Sequence, residues 1–102
     1  MQAKELVQRM KSAKGPVVLD VRSGFEYRRG HIPGAIHAQN WKILLNMAKL
    51  PEDKSDELVV TCELGPRAQM AQWFLGIYGY RNVTLLDGHM SAWRRSGLKM
   101  EK

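Results

Sequence analysis

The sequence predicts an α/β fold in which a mainly parallel sheet of about five short strands carries helices on both faces. Short apolar runs, such as residues 17–21 and 57–62, alternate with stretches of helical periodicity, as in βαβ units. These runs are almost continuously apolar, which is typical of strands covered on both sides. At 102 residues, 44% of them hydrophobic, the chain fits one domain that spans 1–102.

The first third of the chain predicts a helix, a strand and a short helix. Apolar residues at helical spacing indicate a helix over 2–10, and Gly15-Pro16 separates it from the β-branched strand 17–21. The glycine-rich stretch that follows is expected to contain a short helix over 25–29.

The middle of the chain predicts a short strand and a longer helix. Residues 35–40 suit a strand, and Asn40 is placed to cap a helix over 41–50 that Pro51 ends. Residues 57–62 form the second strong strand pattern.

The strongest helical pattern follows that strand. Apolar residues recur there at i, i+3, i+4 and i+7, namely Met70, Trp73, Phe74 and Ile77. We expect these side chains, together with the three tryptophans of the chain, to lie in the core. Gly79 is expected to end this helix, residues 82–86 to form another strand, and a last short helix to run from His89 until Gly97 stops it.

Composition and charge exclude several classes of function. Sixteen Lys and Arg against ten Asp and Glu give a net charge of +6, but the basic residues are spread out, so we expect no nucleic-acid partner and only a mild preference for small anions. No apolar run is long enough to span a membrane and the N-terminal segment is polar, so we expect no membrane partner and a cytoplasmic location. The single cysteine and the scattered histidines predict neither a disulfide nor a metal site.

The only cysteine, Cys62, has two interpretations. A free cysteine is most often a small core residue. Cys62, however, ends an apolar strand, and ligands of open α/β sheets bind at the carboxyl ends of strands. Gly65 permits a tight turn and Pro66 suits the first turn of a helix, so backbone N–H groups and Arg67 can surround an anion there. This setting favours a reactive thiolate over an inert thiol.

Three segments of the chain resemble the rhodanese family of sulfurtransferases. VVLDVRSGFEYRRGHIPGAIHAQN (17–40) is similar to the family's leading segment, where an L-D-V-R strand end precedes a Glu and then G-H-I-P-G-A. VVTCELGPR (59–67) resembles its C-x-x-G-x-R active-site loop, and residues 79–97 resemble its closing segment around G-G-x-x-A-W. The resemblance covers nearly the whole chain in the family's order.

The resemblance implies a rhodanese-like fold and a thiolate at Cys62 that carries sulfane sulfur as a persulfide. The implied donor is a small anion such as thiosulfate, or a persulfide or polysulfide; the acceptor is cyanide, a thiol or a protein cysteine. The implied substrate-binding residues form the loop: Glu63, Leu64, Gly65, Pro66 and Arg67. The backbone N–H groups of this loop, which Pro66 lacks, would stabilise the sulfur anion, and Arg67 would help to hold an anionic donor. No metal or organic cofactor is implied.

Loop length and three departures from the family pattern refine this expectation. Four residues separate Cys62 from Arg67, one fewer than in related phosphatases, so a sulfur atom fits better than a phosphoryl group. Glu63 places a negative charge beside the nucleophile and is expected to repel anionic donors. Ala68 replaces a frequent serine, and His89 replaces the second glycine of the closing motif, a change expected to alter packing beneath the loop.

Several other polar residues are interpreted as structural. Asp20, at the end of the first strand, is expected to support the loop together with Arg22, or to pair with it as a structural carboxylate. Arg22 and Glu26 are interpreted as an internal ion pair, and His31 and His89 as residues without a catalytic role.

The leading hypothesis is therefore a single-domain sulfurtransferase that works through Cys62. The alternatives are a catalytically quiet rhodanese-like interaction domain, disfavoured by the complete Cys62 loop, and a phosphatase or arsenate reductase, disfavoured by loop length. The sequence predicts no particular oligomeric state.

Overall fold

The computed structural model describes all residues from 1 to 102. Its helices and strands follow in the order α1 (Ala3–Met10), β1 (Val17–Asp20), α2 (Gly24–Arg29), β2 (Ile36–His37), α3 (Asn40–Leu44), β3 (Leu58–Thr61), α4 (Pro66–Ile77), β4 (Val83–Leu85) and α5 (His89–Arg95). No helix is both long and apolar enough to cross a bilayer.

The strands form one parallel sheet in the order β2-β1-β3-β4. The two central strands, β1 and β3, pair over their whole length, from Val17 opposite Leu58 to Asp20 opposite Thr61. The predicted α/β class with a parallel sheet is confirmed. The expected number of about five strands is wrong, because the sheet has four and no further apolar run of strand length remains in the chain.

Helices cover both faces of the sheet. Alternation along β1 sends Leu19 to one face and Val18 to the other. The Leu19 face packs against α3 and α4 through Ile43, Ala68, Ala71 and Leu75. The opposite face packs against α1 and α5 through Leu6, Met90 and Trp93. The strands are therefore buried on both sides, as their continuous apolar sequences indicate.

Helix α4 packs on the sheet with a different face from the one predicted. Its buried residues are Ala68, Ala71 and Leu75. Of the predicted core face, Met70, Trp73 and Ile77 are exposed and Phe74 is half-buried. The small alanine face allows a close approach to the sheet, and the larger apolar stripe is left outside. Of the tryptophans expected in the core, Trp93 is buried, whereas Trp41 and Trp73 are exposed.

Helix α3 is shorter than predicted and begins one residue earlier. It was expected over 41–50 with Asn40 as its cap, but Gln39 occupies the cap position. The helix ends at Leu44 because Asn46 adopts a left-handed conformation, with φ of 59°, which an α-helix does not accommodate.

Candidate active site

Cys62 lies directly after β3, at the carboxyl edge of the sheet. The backbone N–H of Val21, one residue past β1, donates to the carbonyl of Thr61 at 3.0 Å, so the ends of the two central strands stay together. The side chain of Cys62 is almost fully buried, with 1% of the residue exposed, and belongs to the core cluster on the α3 and α4 side.

The loop after Cys62 turns back on the sulfur atom. Gly65 has φ of 135°, a conformation that side chains rarely adopt, and its N–H donates to the Sγ of Cys62 at 3.0 Å. Pro66 is the first residue of α4, where its missing N–H costs little. The sulfur is thus held next to a backbone donor at the start of a helix, a setting that favours negative charge.

The outer side of the loop is attached to α5. The N–H of Met90 donates to the carbonyl of Cys62 at 3.0 Å, and the N–H of Ser91 donates to that of Glu63 at 3.2 Å. Both carbonyls therefore point to α5 and away from the sulfur. Sequence patterns did not reveal this contact because backbone amides leave no residue-type signal.

His89 lies beneath the loop. The N–H of Cys62 donates to its Nδ1 at 3.3 Å, and a Cβ atom on Gly65 would stand 3.3 Å from its Nε2. Burial lowers the pKa of His89 below 6.5, so the ring is neutral near pH 7 with its proton on Nε2. The interpretation of His89 as a residue without a catalytic role did not include this contact with the backbone of Cys62.

One of the two predicted ion pairs of the site is present and the other is not. Asp20 and Arg22, exposed by 0% and 2%, pair with each other, and the Nη2 of Arg22 also donates to the carbonyl of Gly30 at 2.7 Å. The predicted ion pair between Arg22 and Glu26 is wrong. Glu26 instead binds the guanidinium of Arg67 through two hydrogen bonds of 2.6 and 3.0 Å. The side chain of Arg67, in the first turn of α4, is therefore held against α2, and its contact with an anionic donor stays a prediction.

Glu63 also has basic partners. It forms an ion pair with Arg94 of α5 and lies 3.6 Å from the Nη1 of Arg22. These cations offset the negative charge on which the expected repulsion of anionic donors depends. Arg94 was not singled out from the sequence, because nothing in the local pattern places α5 beside the loop.

A pocket of about 410 Å³ lies between α2 and the loop. Its lining includes the pair Glu63 and Arg94 together with Arg29, Phe25 and Met100. Cys62 is not among its lining residues, whereas Glu63, the next residue of the loop, is.

We expect Gly65→Ala to damage the loop. The added Cβ is strained at a φ of 135° and meets the ring of His89, which costs about 1–3 kcal/mol of unfolding free energy, and the N–H that contacts Sγ moves. Urea denaturation and sulfur-transfer rates measure the two effects. Gly76→Ala is the matched control, because that glycine is helical with open space around it and the change is expected to stabilise by about 0.5–1 kcal/mol. Equal effects of the two substitutions would contradict the loop geometry.

The Glu26–Arg67 pair predicts a dependence of stability on acid. The hydrogen bond from Arg67 is the largest cause that lowers the pKa of Glu26 from 4.5 to about 2. The folded state therefore binds fewer protons than the unfolded one between these values, so the stabilisation is present above pH 4.5 and is lost as pH falls towards 2. Urea denaturation from pH 5 to 2 should show a steeper loss for the wild type than for Glu26→Gln. Glu52→Gln, at an exposed position, should follow the wild type, and parallel curves for all three proteins would refute the assignment.

Comparisons with known proteins agree with this architecture. The family model described as Rhodanese-like domain matches residues 2–96. A sulfurtransferase of Allochromatium vinosum is 31% identical over 96 residues, which cover 94% of this chain and 88% of that protein. Thiosulfate sulfurtransferase GlpE of Shewanella oneidensis is 35% identical over 92 residues, which cover 90% and 88%.

A solved structure shows the same fold. The crystal structure of the Alr3790 protein from Anabaena superposes with a TM-score of 0.88 at 26% identity, covering 99% of this chain and 81% of that one. The chain therefore belongs to the rhodanese-like domain family, and curated relatives of similar length are named as sulfurtransferases.

Proposed function

We propose that the protein is a sulfurtransferase that moves a sulfane sulfur from a donor to a thiophilic acceptor through a persulfide on Cys62. The observation that carries the proposal is the hydrogen bond from the N–H of Gly65 to the Sγ of Cys62 at the start of α4. A preorganised donor at this place stabilises negative charge on sulfur before and after transfer.

The first step loads the sulfur. The thiolate of Cys62 attacks the outer sulfur of thiosulfate, a bond forms between Sγ and that sulfur, and the sulfur–sulfur bond of thiosulfate breaks. Sulfite leaves with the electron pair, and the negative charge stays on the terminal sulfur of the persulfide. The charge thus remains next to the loop N–H groups throughout.

The second step unloads the sulfur. An acceptor thiolate or cyanide attacks the terminal sulfur, and the electron pair of the broken sulfur–sulfur bond returns to Sγ. The products are the acceptor persulfide, or thiocyanate, and the original thiolate. No external oxidant or reductant is needed.

The burial of Cys62 supports a donor with a slender reactive end. A residue with 1% exposure offers little area for contact, so the sulfane sulfur must enter on a small anion or at the end of an extended persulfide. Glu63 and Arg94, which line the pocket beside the loop, are paired with each other. A donor anion competes with Glu63 for Arg94, which predicts that thiosulfate binds weakly at high ionic strength.

Intact-mass measurement tests the proposal. The purified protein is treated with thiosulfate or inorganic polysulfide and then with cyanide. The expected result is a gain of one sulfur atom, located on Cys62, that cyanide removes as thiocyanate. A folded protein with a free thiol that gains no sulfur from either donor would instead support the catalytically quiet interaction domain.

A further inference from the structure

The solvent-facing side of α4 is apolar and uncharged. Met70, Trp73 and Ile77 are 53%, 68% and 61% exposed, and the helical repeat places them in one stripe opposite the face packed on the sheet. Residues 64–80 contain one charged residue, Arg67, which is already bound in an ion pair. A surface helix ordinarily carries charged side chains on this side, so this stripe is suited to contact with another molecule.

The exposed apolar area continues onto α3. At one end, the Nδ2 of Asn40 donates to the carbonyl of Arg67 at 3.0 Å, and at the other the hydroxyl of Tyr78 donates to the carbonyl of Leu44 at 2.6 Å. These two contacts hold α3 alongside α4. We call the combined area the α3–α4 apolar surface; its members, each at least 47% exposed, are Trp41, Leu44, Leu45, Met47, Leu64, Met70, Trp73 and Ile77.

The α3–α4 apolar surface reaches the active-site loop. Leu64 is 74% exposed and lies two residues after Cys62 in the same loop. The side chain of Cys62 belongs to the core cluster on the α3 and α4 side of the sheet. A molecule that covers this surface therefore also contacts the edge of the loop that holds the sulfur.

The charges around the surface identify the kind of partner. Within residues 40–50 the charged residues are Lys42 and Lys49, and neither 40–50 nor 64–80 contains an acidic residue. A second copy of this chain would bring lysines against lysines, whereas acidic residues on a partner would complement them. Exposed tryptophan and methionine are typical of the centres of protein interfaces.

We propose that the α3–α4 apolar surface docks a protein sulfur acceptor whose cysteine lies beside an apolar segment flanked by acidic residues. The inference rests on the proposed function, because an acceptor is required only if Cys62 carries sulfur. The docked cysteine thiolate attacks the terminal sulfur of the Cys62 persulfide, the sulfur–sulfur bond breaks, and the electron pair returns to Sγ. The acceptor leaves as a persulfide.

Defined peptides test the docking. The probe is an amphipathic helical peptide with leucines on one face, glutamates along both edges and one cysteine, compared with the same peptide carrying lysines at the edges. Sulfur transfer from the persulfide-loaded protein to the cysteine of the peptide is followed by measuring the mass of the peptide. We expect kcat/KM for the glutamate peptide to exceed that for the lysine peptide by about tenfold or more.

Two pairs of substitutions locate the contact. Met70→Gln with Trp73→Gln is expected to lower kcat/KM for the glutamate peptide about tenfold, while transfer from thiosulfate to cyanide changes less than about twofold. Lys42→Glu with Lys49→Glu should reverse the preference in favour of the lysine peptide. The matched control is Lys4→Glu with Lys14→Glu, which makes the same change in net charge at exposed positions elsewhere and should leave the preference intact.

Three outcomes would overturn the docking proposal. They are equal rates for both peptides with the wild type, a concentration-dependent dimer that Trp73→Gln dissociates, and binding to phosphatidylglycerol vesicles without any peptide preference. Failure of the proposed function is distinguishable, because serine-for-cysteine versions of the peptides still report binding through tryptophan fluorescence. Preferred binding of the glutamate version to a protein that never loads sulfur would refute sulfur transfer and leave the docking surface supported.

Discussion

Replacement of Cys62 by serine is expected to abolish sulfur transfer, with a loss of at least about 10³-fold in the rate of thiocyanate formation from thiosulfate and cyanide. A serine hydroxyl fits the same place and accepts the N–H of Gly65, which contacts Sγ at 3.0 Å in the native loop. It does not form a persulfide. The N–H of Gly65 then contacts a group that is neutral and unreactive towards sulfane sulfur.

The fold of this variant should survive. Cys62 is buried, but the substitution is nearly isosteric and keeps a hydrogen-bond partner, so we expect a loss of about 1 kcal/mol in unfolding free energy. Cys62→Ala is the companion variant, since it removes the hydroxyl as well. A folded serine or alanine variant that transfers sulfur at the native rate would remove Cys62 from the mechanism.

Asp20→Ala is expected to cause the largest loss of stability, about 3–5 kcal/mol of unfolding free energy. The carboxylate of Asp20 is fully buried and accepts three hydrogen bonds from the side chain of Arg22. Arg22 is only 2% exposed. Without the carboxylate of Asp20, its guanidinium keeps only the carbonyl of Gly30 and the more distant Glu63 as partners. Urea denaturation measures the effect.

A second variant separates lost charge pairing from lost packing. In the double variant Asp20→Ala, Arg22→Met no unpaired charge is buried, so much of the stability should return. If the double variant is as unstable as Asp20→Ala alone, packing of the carboxylate and not its charge accounts for the loss.

The positions of the two central strands, β1 and β3, could be predicted from the sequence, because short apolar runs rich in β-branched residues favour strands over helices. Residues 17–21 and 57–62 are apolar on both sides, and such runs are stable only when a sheet is covered on both faces. The position of Cys62 at a strand end follows from the same pattern. The tight turn at Gly65, with φ of 135°, could be predicted because glycine tolerates conformations that other residues rarely adopt.

The orientation of α4 could not be predicted in the same way. Its sequence contains two apolar faces, one of small residues such as Ala68 and Ala71 and one of large residues such as Trp73. Periodicity ranks the large face first, because it weighs hydrophobicity and not the distance between a helix and a sheet. The structure selects the small face, since it allows closer packing.

The ion pairs illustrate a second limit. Sequence proximity suggested that Arg22 pairs with Glu26, but Glu26 binds Arg67, which is 41 residues away along the chain. Which carboxylate meets which guanidinium depends on where α2 and the Cys62 loop stand in three dimensions, and no local pattern encodes that relation. The support of the loop by His89 is a similar case, visible in the sequence only as a histidine where the family motif has glycine.

The attachment of the loop to α5 has a consequence for its motion. Because the amides of Met90 and Ser91 hold the carbonyls of Cys62 and Glu63, the loop cannot open without exposing two helix amides to solvent. Their hydrogen-exchange rates therefore measure the opening equilibrium of the loop directly. Slow exchange at both positions would mean that the loop backbone is already ordered before a sulfur atom arrives. The loss of conformational entropy of the loop would then belong to folding and not to sulfur binding.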